Sequence, residues 1–282
     1  MRFITQSGAA CGSIGQGTWY LGEHVETFQQ EISALRAGLE QNMTLLDTAE
    51  MYGNGAAEQL VGQAIQHYDR EKLYLVSKVF PHNAGRRNIR RSCQASLKRM
   101  DTDYLDLYLL HWRGSVPLAE TVECMEQLKA DGLIRNWGVS NLDLDDMEEL
   151  LSIPGGQGCL TDQVLYHLGS RGIEYSLLPF LQKQNISVMA YCPLAQGGHL
   201  RQGLLTHPAL LETAHIHGAT TSQVLLAFLL TRTDVIPIPR SARADHTREN
   251  AEAMNLQLTD DDLVRLETAF PAPTHRVPLD MQ

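Results

Sequence analysis

The sequence of 282 residues predicts a (β/α)8 barrel, a TIM barrel of the α/β class, because short apolar segments alternate with helical segments along its length. Eight strand–helix units of about 35 residues each would account for the chain. No Gly/Ser-rich linker, charge block or low-complexity tract divides the sequence, so we predict a single domain over residues 1–282. An open doubly wound sheet shows the same alternation and stays the alternative.

The predicted strands are short apolar runs, and several of them are apolar on both faces, as a parallel strand covered on both sides requires. In chain order these runs are Ile14–Trp19, Met43–Asp47, Leu73–Lys78, Tyr104–His111, Ile134–Val139, Gln163–Leu165, Ile186–Tyr191 and Val235–Ile238. Gln163–Leu165 is the shortest of the eight.

Helices are predicted between the strands, where apolar residues recur three or four positions apart. Pro117 indicates the first turn of one helix, which Asp131-Gly132 ends. The segment Thr220–Gln223 matches a capping box. The acidic residues after Thr259 indicate another helix start. The same spacing predicts a helix over 30–39 that buries Ile32, Leu35 and Leu39.

Composition and charge exclude several classes of protein. Hydrophobic residues make up 43% and charged residues 20% of the chain, which excludes a largely disordered protein. No apolar run reaches the roughly 18 residues of a membrane helix, and no long apolar segment follows Arg2, as a secretory signal requires. The net charge of −10 disfavours nucleic-acid and anionic-membrane partners. We therefore expect a cytoplasmic protein.

Neither the cysteines nor the histidines predict a metal site. The five cysteines are far apart, with no Cys-x-x-Cys pair, so we expect reduced thiols. His207, His215 and His217 lack the spacing and the acidic companions of a metal site. The basic residues between Arg86 and Arg99 predict a solvated helix face.

Polar residues recur at the carboxyl ends of the apolar runs, at seven places along the chain. They are Asp47, Lys78, His111, Ser140-Asn141, Gln163, Tyr191 and Arg240-Ser241. Any one of them could have a structural role, since a single lysine is commonly a surface side chain and a single histidine a buried, hydrogen-bonded one. In a barrel, however, the carboxyl ends of the strands meet at one mouth, where catalytic groups lie. The pattern therefore predicts a shared site.

Ordered motifs occur over nearly the whole length of the chain: Gly15–Trp19, Asp47–Gly53, Val76–Lys78, Asp106–Trp112, Trp137–Asn141, Gln163–Tyr166, Ala190–Leu194 and Ile236–Asn250. In these motifs the chain resembles the aldo-keto reductase family. The chain is most similar to bacterial members of the methylglyoxal-reductase type. The resemblance implies the (β/α)8 barrel and hydride transfer between NADP(H) and a carbonyl, here a small aldehyde or ketone that is reduced to an alcohol.

Four residues match the family's catalytic tetrad, namely Asp47, Tyr52, Lys78 and His111. The resemblance implies that Tyr52 protonates the carbonyl oxygen as the hydride arrives. It also implies that Asp47 holds Lys78 and that His111 orients the carbonyl. An unperturbed tyrosine pKa near 10 is high for this role. We therefore expect the ammonium of Lys78 to lower the pKa of Tyr52.

The resemblance also implies where NADP(H) binds. The residues implied to hydrogen-bond the nicotinamide carboxamide are Ser140, Asn141 and Gln163. Tyr191 would stack on the nicotinamide ring, and Arg240 and Ser241 would begin the segment that holds the adenosine 2′-phosphate. The remaining expected cofactor contacts are Thr18, Trp19, Asp47, Pro193, Leu194, His246, Glu249 and Asn250. Many relatives have arginine where His246 stands, so we expect a weaker and pH-dependent preference for NADPH over NADH.

Aromatic residues are implied around the substrate pocket, at Trp19, Tyr20, Phe80 and Trp112. Aromatic walls exclude water and suit small or aryl aldehydes. The connection from His111 to Pro117 and the tail after Phe270 are both short. We therefore expect an open site.

Two other functions remain open at this point. Lys78 could form a Schiff base in a lyase, although a carboxylate partner such as Asp47 would favour its unreactive ammonium form. The barrel could also be a non-catalytic subunit that binds NADP(H) and regulates a partner. The sequence indicates no particular protein partner.

Overall fold

Eight parallel strands form the centre of the computed structural model, which describes residues 12–195 and 201–282. The strands are hydrogen-bonded in chain order. They are β1 (Gln16–Gly17), β2 (Leu45–Asp47), β3 (Tyr74–Val79), β4 (Leu105–Leu110), β5 (Ile134–Ser140), β6 (Cys159–Leu165), β7 (Ser187–Tyr191) and β8 (Val235–Pro237).

The first and last strands also contact each other and close the sheet into a barrel. The backbone N–H of Gly15 donates to the carbonyl oxygen of Pro237 at 2.9 Å, and that of Gly17 donates to Pro239 at 3.0 Å. The predicted (β/α)8 barrel is confirmed, because an open sheet would leave these edges apart.

Ten α-helices lie in the described ranges, mostly between successive strands. They are α1 (Phe28–Glu40), α2 (Ala56–Ile65), α3 (Ile89–Met100), α4 (Leu118–Ala130), α5 (Leu144–Ser152), α6 (Leu177–Lys183), α7 (Pro208–Ile216), α8 (Thr221–Leu230), α9 (Ala244–Glu252) and α10 (Asp260–Ala269). None of these helices is both long and apolar enough to span a membrane.

The local signals for helix ends are largely confirmed. Thr220 and Thr259 each form a capping box with the third residue of the following helix. Pro117 is predicted in the first turn of α4 but precedes it by one residue, because its ψ of 136° is extended and the helix begins at Leu118. Gly132, with φ of 76°, follows the end of α4.

Strand β6 is longer than the sequence predicted. It begins at Cys159, four residues before the predicted run Gln163–Leu165. Its first half contains polar residues that are nevertheless fully buried, Thr161 and Asp162. The hydroxyl of Thr161 donates to the carbonyl oxygen of Ser187 at 2.9 Å, so its polarity is satisfied inside the barrel wall.

The interior of the barrel is filled by side chains, which confines any ligand to the mouth. This inner core consists of Leu45, Tyr74, Val76, Leu107, Leu109, Leu160, Met189, Ile236 and Ile238. A larger apolar layer lies between the strands and the helices and includes Ile32, Leu35 and Leu39 of α1, as predicted.

Candidate active site

A cleft opens at the carboxyl ends of the strands, and we call it the catalytic cleft. Its lining includes Thr18, Trp19, Asp47, Tyr52, His111, Trp112, Ser140, Asn141, Gln163, Tyr191 and Arg240, all of them expected from the sequence. The remaining residues of its lining are Gly17, Met51, Cys192, Ile238 and Gln282. The expected side chains therefore converge on one site.

Lys78 lies directly beneath this cleft, fully buried at the end of β3. Its Nζ lies 2.9 and 2.8 Å from the two carboxylate oxygens of Asp47, 2.9 Å from the carbonyl oxygen of Thr48 and 3.2 Å from the hydroxyl of Tyr52. Burial lowers the pKa of Lys78, and the carboxylate of Asp47 opposes that shift. A buried charge needs such partners, because its desolvation is costly.

A tight turn places Tyr52 over this ion pair. Tyr52–Gly55 is a kinked turn and not a regular 3₁₀ helix, since Gly53, Asn54 and Gly55 have positive φ. The backbone N–H of Tyr52 donates to the carbonyl oxygen of Ala49 at 3.1 Å. The chain thus reverses within four residues, and the phenol is directed towards Lys78.

The pKa of Tyr52 is raised well above 10, and burial is the largest cause. The negative charge of Asp47 raises it further. The expectation of a lowered pKa beside Lys78 is wrong in its direction, because burial of the phenol and the charge of Asp47 both raise the pKa of Tyr52. Tyr52 therefore keeps its proton at neutral pH.

His111 is held as a neutral imidazole. Burial lowers its pKa from 6.5 to about 2, and the nearby charge of Lys78 contributes to the shift. Its ring meets that of Tyr52 edge-on, with 5.6 Å between the centroids. A neutral imidazole has one N–H donor, so His111 can hydrogen-bond an oxygen beside the phenol without adding charge.

Four polar residues of the cleft lining are connected by hydrogen bonds, and we call them the amide cluster: Ser140, Asn141, Gln163 and Tyr191. The hydroxyl of Tyr191 donates to Oδ1 of Asn141 at 2.8 Å, and Nδ2 of Asn141 donates to Oγ of Ser140 at 3.1 Å. Nε2 of Gln163 donates to Oδ1 of Asp47 at 2.8 Å. The amide cluster is therefore hydrogen-bonded to the carboxylate that holds Lys78.

A second cavity adjoins the catalytic cleft, and Arg240 lines both. Six of the residues expected from the sequence line it, namely Leu194, Arg240, Ser241, His246, Glu249 and Asn250. Pro193 is buried between Cys192, which lines the catalytic cleft, and Leu194.

The second cavity also contains cations that sequence reasoning missed. Arg201 and Arg243 line it together with Ser222. Arg243 is three residues after Arg240 and could have been recognised as part of the same segment. Arg201 belongs to the connection after β7, and no sequence signal relates it to the others. His246 is thus one of several basic side chains here.

Two of the four expected substrate-pocket residues lie outside the lining of the catalytic cleft. Tyr20 is 56% exposed and stacks on Trp19, with 4.5 Å between ring centroids. Phe80 packs edge-on against Trp112, with a centroid separation of 4.9 Å. Tyr20 and Phe80 thus each contact a tryptophan of the lining without belonging to it, and their place around a bound substrate stays a prediction.

The C-terminal tail reaches the catalytic cleft, although it is short. Gln282 lines the cleft, and its Oε1 accepts a hydrogen bond from the thiol of Cys192 at 3.3 Å. Arg276 donates to the carboxylate of Asp145 at 2.7 Å and fixes the tail against α5. A short tail therefore does not leave the site fully open. The tail has no regular secondary structure, so no periodicity in the sequence could have indicated its course.

No group of three or more potential metal ligands was found among the residues of the described ranges. Two of the four basic side chains of α3 are in ion pairs, Arg99 with Glu58 and Arg90 with Asp131. These pairs agree with a structural interpretation of the basic stretch.

Comparison with known proteins gives a consistent picture. Residues 13–270 match the model of the Aldo/keto reductase family. The chain is 53% identical over 269 residues to methylglyoxal reductase YeaE of Escherichia coli (strain K12), an alignment that covers 95% of this chain and 94% of that protein. It is 31% identical over 245 residues to a glyoxal reductase of Bacillus subtilis (strain 168), covering 86% and 84%.

The fold is shared with solved structures. An aldo-keto reductase from Klebsiella pneumoniae, crystallised in complex with NADPH, is 51% identical, with a TM-score of 0.95 and coverage of 97% of this chain and 96% of that one. A thermostable aldo-keto reductase, Tm1743, in complex with the inhibitor epalrestat, is 39% identical, with a TM-score of 0.84 and coverage of 91% and 94%.

Acid should destabilise the protein through its buried histidines. Burial lowers the pKa of His167 from 6.5 to about 4, so the folded state stays neutral at pH values at which the unfolded chain binds a proton. We expect the free energy of unfolding to fall by roughly 1–2 kcal/mol per buried histidine between pH 7 and pH 5. The His167→Gln variant should lose less over this interval, as measured by urea denaturation. The exposed His215→Gln variant should follow the wild type. An equal slope for His167→Gln and wild type would contradict the assignment.

Proposed function

Because the chain belongs to the aldo/keto reductase family and is an oxidoreductase, we propose that it reduces small aldehydes and ketones, methylglyoxal among them, with NADPH as a single barrel domain. The observation that carries this proposal is the buried contact of Lys78 with both Asp47 and Tyr52 at the floor of the catalytic cleft. The name of the Escherichia coli relative supports the substrate, and the Klebsiella complex supports the cofactor.

The donor and acceptor set of the site suits NADP(H). When bound, NADPH supplies a hydride, and the residues of this chain supply the binding and the proton. The amide cluster offers the mixture of donors and acceptors that a nicotinamide carboxamide requires. Arg240, at the junction of the two cavities, and Arg243 offer charge to phosphate groups.

Tyr52 is the proposed general acid. Its raised pKa keeps the phenol protonated, and a carbonyl oxygen in the catalytic cleft can accept that proton. The ammonium of Lys78, 3.2 Å from the phenolic oxygen, stabilises the negative charge that develops there when the proton leaves. His111 adds a neutral N–H donor that orients the carbonyl, because its own pKa is too low for it to be protonated.

The Schiff-base alternative is disfavoured by the surroundings of Lys78. An amine nucleophile must lose a proton and present a lone pair to the substrate. Nζ of Lys78 instead contacts two carboxylate oxygens, a carbonyl oxygen and a phenol, and the side chain is fully buried. These contacts favour the ammonium form of Lys78. They support a role for Lys78 in assisting reduction and not as a nucleophile.

We also propose a cytoplasmic location. None of the four cysteines in the described part of the chain forms a disulfide, and a reducing compartment is consistent with that finding.

Removing the hydroxyl of Tyr52 should abolish most of the activity. We expect Tyr52→Phe to lower kcat/KM for methylglyoxal about 10²–10⁴-fold, because general acid catalysis is lost. The loss of NADPH absorbance measures turnover, and fluorescence titration should show unchanged NADPH affinity. Tyr20→Phe is the matched control, since its exposed ring lies outside the cleft lining. Undiminished reduction by Tyr52→Phe would refute its role.

Removing the cation at the junction of the two cavities should weaken NADPH more than NADH. We expect Arg240→Ala to raise KM for NADPH about 10–100-fold, since a charge-assisted phosphate contact is lost. KM for NADH should change less than about threefold. Arg248→Ala is the control, because this exposed residue of α9 lies near Glu40 and not in the cavity lining. Equal catalytic efficiency of the wild type with the two cofactors would overturn the NADPH assignment.

A further inference from the structure

Glu50 is a partly buried carboxylate that the proposed chemistry does not use. It lies two residues before Tyr52, on the loop that follows β2. Its Oε1 accepts hydrogen bonds from the backbone N–H of Phe80 at 2.6 Å and from Nδ2 of Asn83 at 3.1 Å. Its own N–H donates to the carbonyl oxygen of Lys78 at 3.3 Å. Glu50 therefore ties the loop of the proposed acid to the loop after β3.

Phe80 in turn supports the wall of the catalytic cleft. Its ring lies edge-on against Trp112, whose ring lies 4.8 Å from that of His111. Trp112 and His111 line the cleft, whereas Phe80 is outside the lining and contacts Trp112. A displacement of Phe80 would therefore also displace Trp112, which lines the catalytic cleft.

The loops that carry Phe80 and Trp112 also pack with little free space. A Cβ atom added to Gly114, two residues after Trp112, would lie 2.5 Å from Cβ of Pro81. Side-chain carbons do not approach so closely, so the loop after β3 and the loop after β4 are in close contact at Gly114.

From these contacts we propose that Glu50 is a positioning residue. Its carboxylate fixes Phe80 against Trp112, and the position of Trp112 sets the width of the catalytic cleft and its selectivity between aryl and small aliphatic aldehydes. A carboxylate oxygen is a stronger hydrogen-bond acceptor than an uncharged oxygen, which suits a hydrogen bond that keeps a loop in place. The statement on substrate selectivity rests on the proposed function, while the positioning of Trp112 does not.

The substrate test compares two replacements of Glu50 with two aldehydes. Glu50→Leu keeps most of the volume and removes the acceptor, and Glu50→Gln keeps an oxygen acceptor. We expect Glu50→Leu to lower kcat/KM for 4-nitrobenzaldehyde about tenfold relative to methylglyoxal, through KM and with kcat nearly unchanged. Glu50→Gln should stay within about threefold of the wild type. An equal loss for both aldehydes would overturn the proposal.

A spectroscopic test does not depend on turnover. The chain has three tryptophans, so its ¹H–¹⁵N spectrum contains three indole signals, and Trp112→Phe identifies one of them. We expect Glu50→Leu to shift the Trp112 signal and Glu50→Gln to leave it in place. The signal of Trp137, whose indole donates to Glu126 at 2.6 Å, is the internal reference. An unmoved Trp112 signal in Glu50→Leu would overturn the proposal.

Phe80→Leu keeps the backbone that Glu50 binds and removes the ring that packs against Trp112. It should reproduce the indole shift and the altered selectivity, so the test does not depend on whether Glu50→Leu folds. A Phe80→Leu variant with an unmoved Trp112 signal would count against the proposal. If the wild type reduces no carbonyl, the proposed function fails, and the indole signals alone decide the role of Glu50.

Discussion

The structure of the site depends on one buried ion pair, between Lys78 and Asp47. Two charges taken out of water are costly unless their hydrogen bonds are complete. Here the ammonium contacts both carboxylate oxygens, the carbonyl oxygen of Thr48 and the phenol of Tyr52. One of those carboxylate oxygens also accepts a hydrogen bond from Nε2 of Gln163, which belongs to the amide cluster. A single carboxylate thus links the proposed acid to the residues proposed to hold the nicotinamide.

The barrel makes such a pair possible, and this part of the site could be predicted from the sequence. Parallel strands in a closed sheet bring their carboxyl ends to one mouth, so polar residues that follow apolar runs must converge. Asp47 at the end of β2 and Lys78 in β3 are examples. The start of β6 could not be predicted in the same way, because Thr161 and Asp162 are polar residues inside a buried strand.

What the sequence did not predict depends on distances between side chains from different loops. Tyr20 and Phe80 are aromatic residues beside the mouth, but each contacts a tryptophan of the cleft lining and is not itself in that lining. The direction of the pKa shift of Tyr52 follows first from its burial and then from the charge of Asp47, neither of which spacing along the chain gives. The course of the tail to the cleft is likewise fixed by tertiary contacts.

The most direct test of this account is a double-mutant cycle on the ion pair, measured as free energy of unfolding in urea. Asp47→Asn and Lys78→Met should each cost about 3–5 kcal/mol, because each leaves a buried charge without its partner. The double variant removes both charges, so its loss should be well below the sum of the two, with a coupling energy above about 2 kcal/mol. Additive losses would show that the two side chains do not depend on each other and would contradict the account.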